Sequence, residues 1–323
     1  MSARASSLHR AAGRLRLGRL LYQFWHRPAA ALARSRREGG PLEQWRNARG
    51  RRAMIAAART LPARPPPPPE AAEVTFLTGR RFWYQTAFCC WSLSERAGRE
   101  FRPGFLDDGS FDGSLAREAV RLFPGATVLD RAAVETRLDR ALPARTFPAL
   151  RSQRLSYIHL RKLTDAHAGR DGWRLVLDSD LLFFRRPGAL LDWLEAPDRP
   201  LHMVDVQDSY GYPRATLEAL AGGPVPERLN VGLLGLRSEA IEWPRLEQWC
   251  ARLLAQHGTS YYLEQALCAL LLAAAAPLRL PAQDYLVQPD EEECLAPRAV
   301  MHHYVDLSKR GYFRHAWRHL RIA

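Results

Sequence analysis

The sequence predicts an α/β protein built on a mainly parallel or mixed β-sheet and preceded by a basic N-terminal extension. Two observations indicate this organisation. Short apolar runs alternate with longer amphipathic segments from residue 74 onwards, which is the pattern of strands separated by helices. A run of prolines near residue 65 sets this region apart from a basic N-terminal extension. The 323 residues suffice to bury the full core of one large domain.

Six apolar runs are predicted to be strands. They are VTFLTG (74–79), ATVLD (126–130), WRLVLD (173–178), LHMVDV (201–206), LNVGLLGL (229–236) and AVMHHYV (299–305). The segments 150–169 and 243–258 are predicted to be helices, each closed by a glycine. The apolar region 263–280 is interrupted by charged residues and a proline, so it indicates a buried helix rather than a membrane span.

The proline run PARPPPPP at 62–69 excludes helix and inner strand and is expected to form a stiff polyproline spacer. It divides the chain into a basic extension (1–61), a proline-rich linker (62–70) and a main domain (71–323). Residues 1–70 hold 15 arginines, no lysine and three glutamates, so this segment carries 12 of the 13 net positive charges. The main domain is nearly neutral, and no nucleic-acid partner is expected for it.

The extension contains a predicted amphipathic helix, in which Leu17, Leu20, Leu21, Phe24 and Trp25 share one face. Two interpretations stay open: attachment to an anionic membrane surface, or packing of the helix on the main domain. Neither a membrane-spanning run nor a secretory signal is found. The expected location is the cytoplasm, at the inner face of the membrane under the first interpretation.

The five cysteines form an odd set without CxxC spacing. Reduced thiols are therefore expected, rather than disulfides or a zinc site.

The segment WRLVLDSDLLFF (173–184) places Asp178 and Asp180 where a buried strand is expected to end. Open α/β sheets bind ligands at the carboxyl ends of their strands. Residues i and i+2 of an extended segment point to the same side, and two adjacent carboxylates repel each other unless a cation lies between them. Magnesium or manganese, completed by a diphosphate, meets that requirement.

Two other interpretations of this pair exist. A DxD triplet also occurs in solvated turns. In phosphatases of the haloacid dehalogenase class the first aspartate attacks phosphorus, but there a Thr or Val follows two residues after the second aspartate, where this chain has Leu182.

The C-terminal segment HHYVDLSK adds His303 and, six residues later, Lys309. A neutral imidazole can serve as a third metal ligand, and an ammonium group can hold a diphosphate as a point charge. All these groups fall at the ends of predicted strands.

In their order along the chain, DSD, LNVGLL, YYLEQAL and HHYVDLSK resemble GT-A glycosyltransferases, most closely glycosyltransferase family 8, over residues 74–313. The resemblance implies a GT-A-like, Rossmann-type mixed sheet flanked by helices. It also implies that Asp178, Asp180 and His303 bind Mn²⁺ (or Mg²⁺), which carries the diphosphate of a UDP-sugar. Asp306 and Arg310-Gly311 depart from the family's glycine and Pro-Trp, which leaves the local backbone path open.

Further donor contacts follow from the resemblance. The family has an Asn-x-Gly motif that faces the donor sugar, and Asn230 and Gly232 match it. The family also has an acidic residue followed by a glutamine beside the anomeric carbon, and Glu264 and Gln265 match these. The alternative for Glu264 and Gln265 is a solvated first helical turn. Arg161 lies near the position at which the family has a basic residue that faces the donor.

Three further residues have predicted positions. Lys162 beside Arg161 is expected on a solvated helix face. Thr78 and Gly79 follow the first predicted strand, at the usual turn for the nucleotide.

The predicted activity is metal-dependent transfer of a sugar from a nucleoside-diphosphate donor to a hydroxyl of a carbohydrate, lipid-linked or protein acceptor. The resemblance favours retention, whereas an inverting enzyme would need a general base, for which Asp205 and Asp208 are candidates. The alternatives are a noncatalytic nucleotide-sugar-binding relative or, in a different class, a nucleic-acid-binding protein that uses the arginine-rich N-terminus.

Overall fold

The strands of the protein form two sheets in a computed structural model that describes residues 39–320. The strands are β1 (Glu73–Thr78), β2 (Arg102–Asp107), β3 (Thr127–Leu129), β4 (Trp173–Leu177), β5 (Leu181–Phe183), β6 (Leu201–Val204), β7 (Leu229–Arg237), β8 (Leu278–Arg279), β9 (Tyr285–Val287) and β10 (Met301–His303). All six predicted strands are present.

The described residues also form helices, most of which connect the strands in sequence. They are α1 (Pro41–Ala58), α2 (Trp83–Ala97), α3 (Gly113–Leu122), α4 (Arg131–Ala141), α5 (Pro148–Ser156), α6 (Arg161–His167), α7 (Gly188–Glu195), α8 (Arg214–Ala221), α9 (Trp243–His257), α10 (Leu263–Leu272), α11 (Glu291–Leu295) and α12 (Lys309–Arg314).

The larger sheet has seven strands in the order β3-β2-β1-β4-β7-β6-β8. Strands β3, β2, β1 and β4 run parallel, whereas β7 runs antiparallel to both β4 and β6. The predicted mixed sheet is therefore confirmed. Strand β4 is buried at its carboxyl end, because Leu175, Val176 and Leu177 are apolar and flanked by strands on both sides, so Asp178 follows a strand end as the sequence predicted.

The smaller sheet has three strands in the order β5-β10-β9. Strand β10 pairs antiparallel with β5, and in this register His303 lies opposite Leu181. The backbone N–H of Tyr304 donates to the carbonyl oxygen of Asp180 at 3.0 Å. This pairing brings the C-terminal histidine to the aspartates although more than a hundred residues separate them in sequence.

The predicted helices are found with one interruption. The segment 150–169 forms α5 and α6, which are joined by a 3₁₀ turn at Ile158–Leu160. Helix α9 matches the prediction and ends at Gly258, whose φ of 76° suits glycine. Helix α10 is buried along nearly its whole length. Within residues 39–320, no helix has the length and apolarity that crossing a membrane requires.

The proline-rich segment 62–70 is irregular and contacts the neighbouring helices through Arg64. The Arg64 guanidinium pairs with Glu95 at 2.6 Å and Glu100 at 2.6 Å, and lies over the ring of Trp91. Its backbone N–H donates to the Leu122 carbonyl. The amphipathic helix expected near residues 17–25 lies outside the described residues. All five cysteines are buried and free.

Candidate functional site

Three potential metal ligands meet where the two sheets join. Asp178 follows β4, Asp180 precedes β5 and His303 ends β10. One ligand atom from each residue lies within 4.8 Å of the others. His303 Nε2 is 3.7 Å from Asp178 Oδ2 and 3.4 Å from Asp180 Oδ1.

The tautomer of His303 follows from its other nitrogen. The Asn230 side chain is oriented because its Nδ2 donates to Asp205 Oδ2 at 3.0 Å, while its Oδ1 accepts from the Gly232 backbone N–H at 2.9 Å. The same Oδ1 lies 3.0 Å from His303 Nδ1. A carbonyl oxygen can only accept, so Nδ1 carries a proton. In the neutral imidazole, the form that binds metals, the lone pair is then on Nε2, which faces the aspartates.

This geometry fits a divalent cation. His303 Nε2 is buried and has no hydrogen-bond partner among residues 39–320. A lone pair facing two carboxylates is unfavourable unless a positive ion lies between the three groups. Two carboxylates and one imidazole, with the second imidazole nitrogen hydrogen-bonded to an oriented amide, form a set that can hold Mn²⁺ or Mg²⁺.

Each aspartate is also paired with a lysine. Lys162 Nζ is 2.6 Å from Asp178 Oδ1 and 3.2 Å from Glu264 Oε1, and Lys309 Nζ is 2.6 Å from Asp180 Oδ2. The expectation that Lys162 lies on a solvated helix face is wrong, because its side chain is only 4% exposed. Desolvation would disfavour a lone ammonium there, and the two carboxylates compensate for it.

One sequence signal could have identified Lys162. The chain contains 45 arginines but only two lysines, Lys162 and Lys309, and the structure places both in this site. An ammonium group is compact and can lie between carboxylates where a planar guanidinium would need more space. Lysines in a chain this strongly biased towards arginine therefore mark positions with a specific steric requirement.

The charges in the site shift the pKa values of its members. Burial lowers the pKa of Lys162, but the charges of Asp178 and Glu264 outweigh this effect and raise it, so the lysine stays protonated. Burial raises the pKa of Asp180, but the neighbouring Lys309 charge lowers it well below its usual range. Burial raises the pKa of Glu264 to about 8, although the Lys162 ammonium opposes that change.

Glu264 and Gln265 lie in the first turn of α10 and are buried. The alternative of a solvated first turn is therefore wrong. Gln265 Nε2 donates to Asp205 Oδ2 at 3.4 Å, and Asp205 Oδ1 accepts from the Val206 backbone N–H at 2.8 Å. Asp205 thus holds the side chains of Gln265 and Asn230 together.

Asp208, the other candidate general base, lies in a different set of contacts. It accepts from Arg214 and from the backbone N–H of Arg228, and it is not among the residues that line the cleft.

The site opens into a cleft of about 520 Å³, within the range of small-molecule pockets. Most of the candidate residues line it: Asp178, Asp180, Asn230, Gly232, Glu264, Gln265, His303 and Lys309. The cleft lining does not include Thr78, Gly79 or Arg161. Thr78 Oγ1 instead shares a hydrogen bond with Thr86 Oγ1 at 2.6 Å, and Arg161 Nη1 donates to the Asp107 carbonyl at 2.8 Å.

Asp306 also lines the cleft, at the position where the sequence departs from the family's glycine. Its φ is 48°, in the left-handed region that glycine adopts freely. Aspartate tolerates this conformation better than most residues. The backbone therefore follows a path that glycine would also favour.

We predict that Gly232→Ala weakens metal binding without unfolding the protein. A Cβ atom at this position would overlap the His303 ring and lie against Asn230 Oδ1, so it would displace the proposed ligand. The affinity for Mn²⁺, measured by electron paramagnetic resonance, should fall by about 10- to 100-fold.

Gly235→Ala on the same strand is the matched control. Its Cβ would overlap the Trp193 ring instead, so thermal stability should fall while Mn²⁺ affinity is kept. If Gly232→Ala binds Mn²⁺ as tightly as the wild-type protein does, His303 is not a ligand.

Comparison with known proteins gives matches to solved structures, while no protein-family model and no curated protein matches the chain. The galactosyltransferase LgtC, solved with donor and acceptor sugar analogues, is 16% identical over 72% of this chain and 87% of its own, with a TM-score of 0.45. Mouse xyloside xylosyltransferase 1 is 12% identical over 73% and 98%, with a TM-score of 0.46. The bifunctional glycosyltransferase WbbM is 13% identical over 76% of this chain and 47% of its own, with a TM-score of 0.49. All three are named as glycosyltransferases, the class that the sequence motifs resemble.

Proposed function

We propose that the protein is a metal-dependent glycosyltransferase that moves a sugar from a nucleoside-diphosphate donor, a UDP-sugar, to an acceptor hydroxyl with retention. The observation that carries the proposal is the unpartnered, buried Nε2 of His303, whose lone pair faces Asp178 and Asp180. A divalent cation satisfies all three groups, and carboxylate-held cations of this kind commonly bind substrate phosphates.

Asp178, Asp180 and His303 would hold the ion, Mn²⁺ or Mg²⁺, which when bound supplies Lewis-acid stabilisation of a leaving diphosphate. Lys309 adds a second positive charge at the same place, because its Nζ is 2.6 Å from Asp180. Transfer from a nucleoside diphosphate places new negative charge on the leaving phosphate oxygen. A fixed ammonium beside that oxygen lowers the barrier electrostatically.

The sugar end of the donor would lie against Asn230, Gly232, Glu264 and Gln265, which line the cleft next to the aspartates. Asn230 Nδ2 uses one hydrogen for Asp205, and an amide nitrogen has a second to offer. Lys162 Nζ is 3.2 Å from Glu264 Oε1 and favours the ionised form of this carboxyl group. In that form Glu264 can stabilise an oxocarbenium-like transition state. These contacts favour the anomeric carbon lying beside α10.

Retention is supported by the hydrogen bonds that the Asp205 carboxylate already accepts. An inverting reaction needs a carboxylate that is free to take the acceptor proton. The Asp205 oxygens accept hydrogen bonds from Val206, Asn230 and Gln265. This carboxylate is therefore better suited to positioning side chains than to acting as a base.

Thr78, Gly79 and Arg161 would bind the nucleoside end. Thr78 pairs with Asp107 across the parallel β1 and β2 strands, and Arg161 donates to the Asp107 carbonyl. Thr78 and Gly79 thus lie at the carboxyl end of β1, and Arg161, from the start of α6, contacts the carboxyl end of the neighbouring β2. This is the edge where open α/β sheets bind nucleotides.

The acceptor would be a carbohydrate, lipid-linked or protein hydroxyl. The basic extension is proposed to hold the enzyme at an anionic membrane surface on the cytoplasmic side, because its arginines attract anionic lipids and its apolar residues share one predicted helical face.

The proposed metal site predicts that UDP binding depends on Mn²⁺. In calorimetric titrations UDP should bind tightly with Mn²⁺ present and weakly after chelation. Asp180→Asn, which keeps the side-chain shape, should weaken Mn²⁺-dependent UDP binding by about 100-fold, because a metal ligand is lost.

Asp198→Asn is the control, since Asp198 is exposed and contacts only the adjacent Arg199 among the described side chains. Its UDP affinity should match that of the wild-type protein. Unchanged UDP affinity in Asp180→Asn with Mn²⁺ present would remove the basis for the metal site.

The second prediction concerns Lys309. Lys309→Ala should weaken UDP binding by about tenfold or more, while uridine binding changes little, because the ammonium charge is meant for phosphates. Lys309→Arg keeps the charge and should recover part of the affinity for UDP. Equal losses for UDP and uridine would show that Lys309 is structural.

The third prediction concerns the extension. Deleting residues 1–38 should abolish co-sedimentation with vesicles that contain phosphatidylserine, while donor hydrolysis is kept. Binding by the full-length protein should decrease as salt is raised, because screened electrostatics weakens it.

The deletion ends before Met54 and Leu61, which are buried, and before Arg64, which pairs with Glu95 and Glu100 of the main domain. This design separates membrane attachment from folding. A full-length protein that ignores anionic vesicles at low salt would contradict the proposal.

A further inference from the structure

Aromatic rings line one side of the cleft outside the metal site. Tyr157 and His159 have ring centroids 5.4 Å apart, and His159 and Tyr261 have centroids 5.6 Å apart. All three residues line the cleft, and Tyr261 is 69% exposed. Large aromatic surface is seldom left open to water beside a pocket unless a ligand covers it. We call this set the aromatic platform.

The aromatic platform is held in place rather than loosely attached. The Tyr157 hydroxyl donates to the Tyr261 carbonyl at 2.5 Å. Tyr261 also contacts the Tyr262 ring, with centroids 5.3 Å apart, and the Tyr262 backbone N–H donates to Ser260 Oγ at 3.1 Å. A preorganised ring binds a ligand with less loss of conformational entropy.

Two further residues of the cleft lining have polar, uncharged side chains. Gln207 and Ser209 line the same cleft and offer an amide and a hydroxyl. Among the described lining residues, the ammonium groups are those of Lys162 and Lys309, and both are paired with aspartates. The Gln207 amide and the Ser209 hydroxyl can therefore bind the hydroxyls of a neutral ligand.

We propose that the aromatic platform binds the acceptor and that the acceptor is a neutral pyranose, the terminal ring of a saccharide. A pyranose has an apolar C–H face that can stack on an aromatic ring, and hydroxyls around its edge that amide and hydroxyl side chains can bind. Tyr261 lies three residues before Glu264, so the stacked ring is next to the proposed site of the anomeric carbon. This inference rests on the proposed glycosyltransferase function.

In the proposed transfer step the acceptor oxygen forms a bond to the anomeric carbon, while the bond from that carbon to the phosphate oxygen of the donor breaks. The electron pair of the broken bond leaves with UDP, and the hydroxyl proton of the acceptor goes to the leaving phosphate.

Direct binding of sugars tests the inference without any donor. Saturation-transfer NMR on the full-length protein would use methyl glycosides of galactose, glucose, mannose and xylose. At least one should bind, and Tyr261→Ala should weaken its binding by about three- to tenfold, the contribution of one aromatic contact. Tyr261→Phe keeps the ring and should retain most of the affinity.

Leu295→Ala is the matched control, because Leu295 is 49% exposed and lies outside the cleft lining. It should bind the glycoside as the wild-type protein does. Melting temperatures of all variants would show that each is folded.

Three results would overturn the inference. One is that none of the glycosides binds. Another is that Tyr261→Ala weakens uridine binding as much as glycoside binding, which would make the aromatic platform a nucleoside site. The third is that a short prenyl phosphate or a serine-containing peptide binds and loses affinity in Tyr261→Ala while the glycosides do not.

The failure of the proposed function gives a different result. If UDP fails to bind with Mn²⁺, the proposed function fails whatever the glycosides do. If UDP binds with Mn²⁺ and donor is hydrolysed but no glycoside binds, the proposed function stands and only the acceptor assignment is lost.

Discussion

Two aspartates and an imidazole lone pair lie within a few ångströms of each other, and the surrounding structure compensates for their mutual repulsion. Lys162 and Lys309 each contact one aspartate at 2.6 Å, so positive charge already faces the site. Each lysine pairs with an aspartate inside the site, because a buried charge without a partner costs several kcal/mol. In the proposed reaction Lys309 would add positive charge that stabilises the leaving group, and Lys162 would hold Asp178 and Glu264.

The position of His303 depends on strand register. A shift of one residue between β10 and β5 would turn the imidazole to the opposite face of the small sheet. The observed register places His303 opposite Leu181, and the Asn230 amide then determines which ring nitrogen faces the aspartates. Backbone pairing therefore sets the location of the ligand, and a side-chain hydrogen bond sets its tautomer.

The sequence predicted the long strands and singled out three side chains that the structure brings together, Asp178, Asp180 and His303. It did not predict the small sheet or the charges around these side chains. Strands β4 and β7 are apolar runs that any buried strand requires, whereas β5 and β9 have three residues each, too few to show a period. β2 begins with Arg-Pro-Gly, which is typical of a turn. The roles of Lys162 and Asp205 could not be predicted from spacing, because their burial depends on helices and strands distant in sequence.

The start of α10 connects the two halves of the proposed reaction. Tyr261 and Glu264 are three residues apart, so their Cα atoms lie within about 11 Å even in extended backbone. Gln265 binds Asp205, and Asp205 binds Asn230, which orients His303. The aromatic platform and the metal ligands are thus joined through one helix start and a short chain of hydrogen bonds. An acceptor stacked on Tyr261 would consequently be positioned against the donor by the same residues that orient the metal ligand.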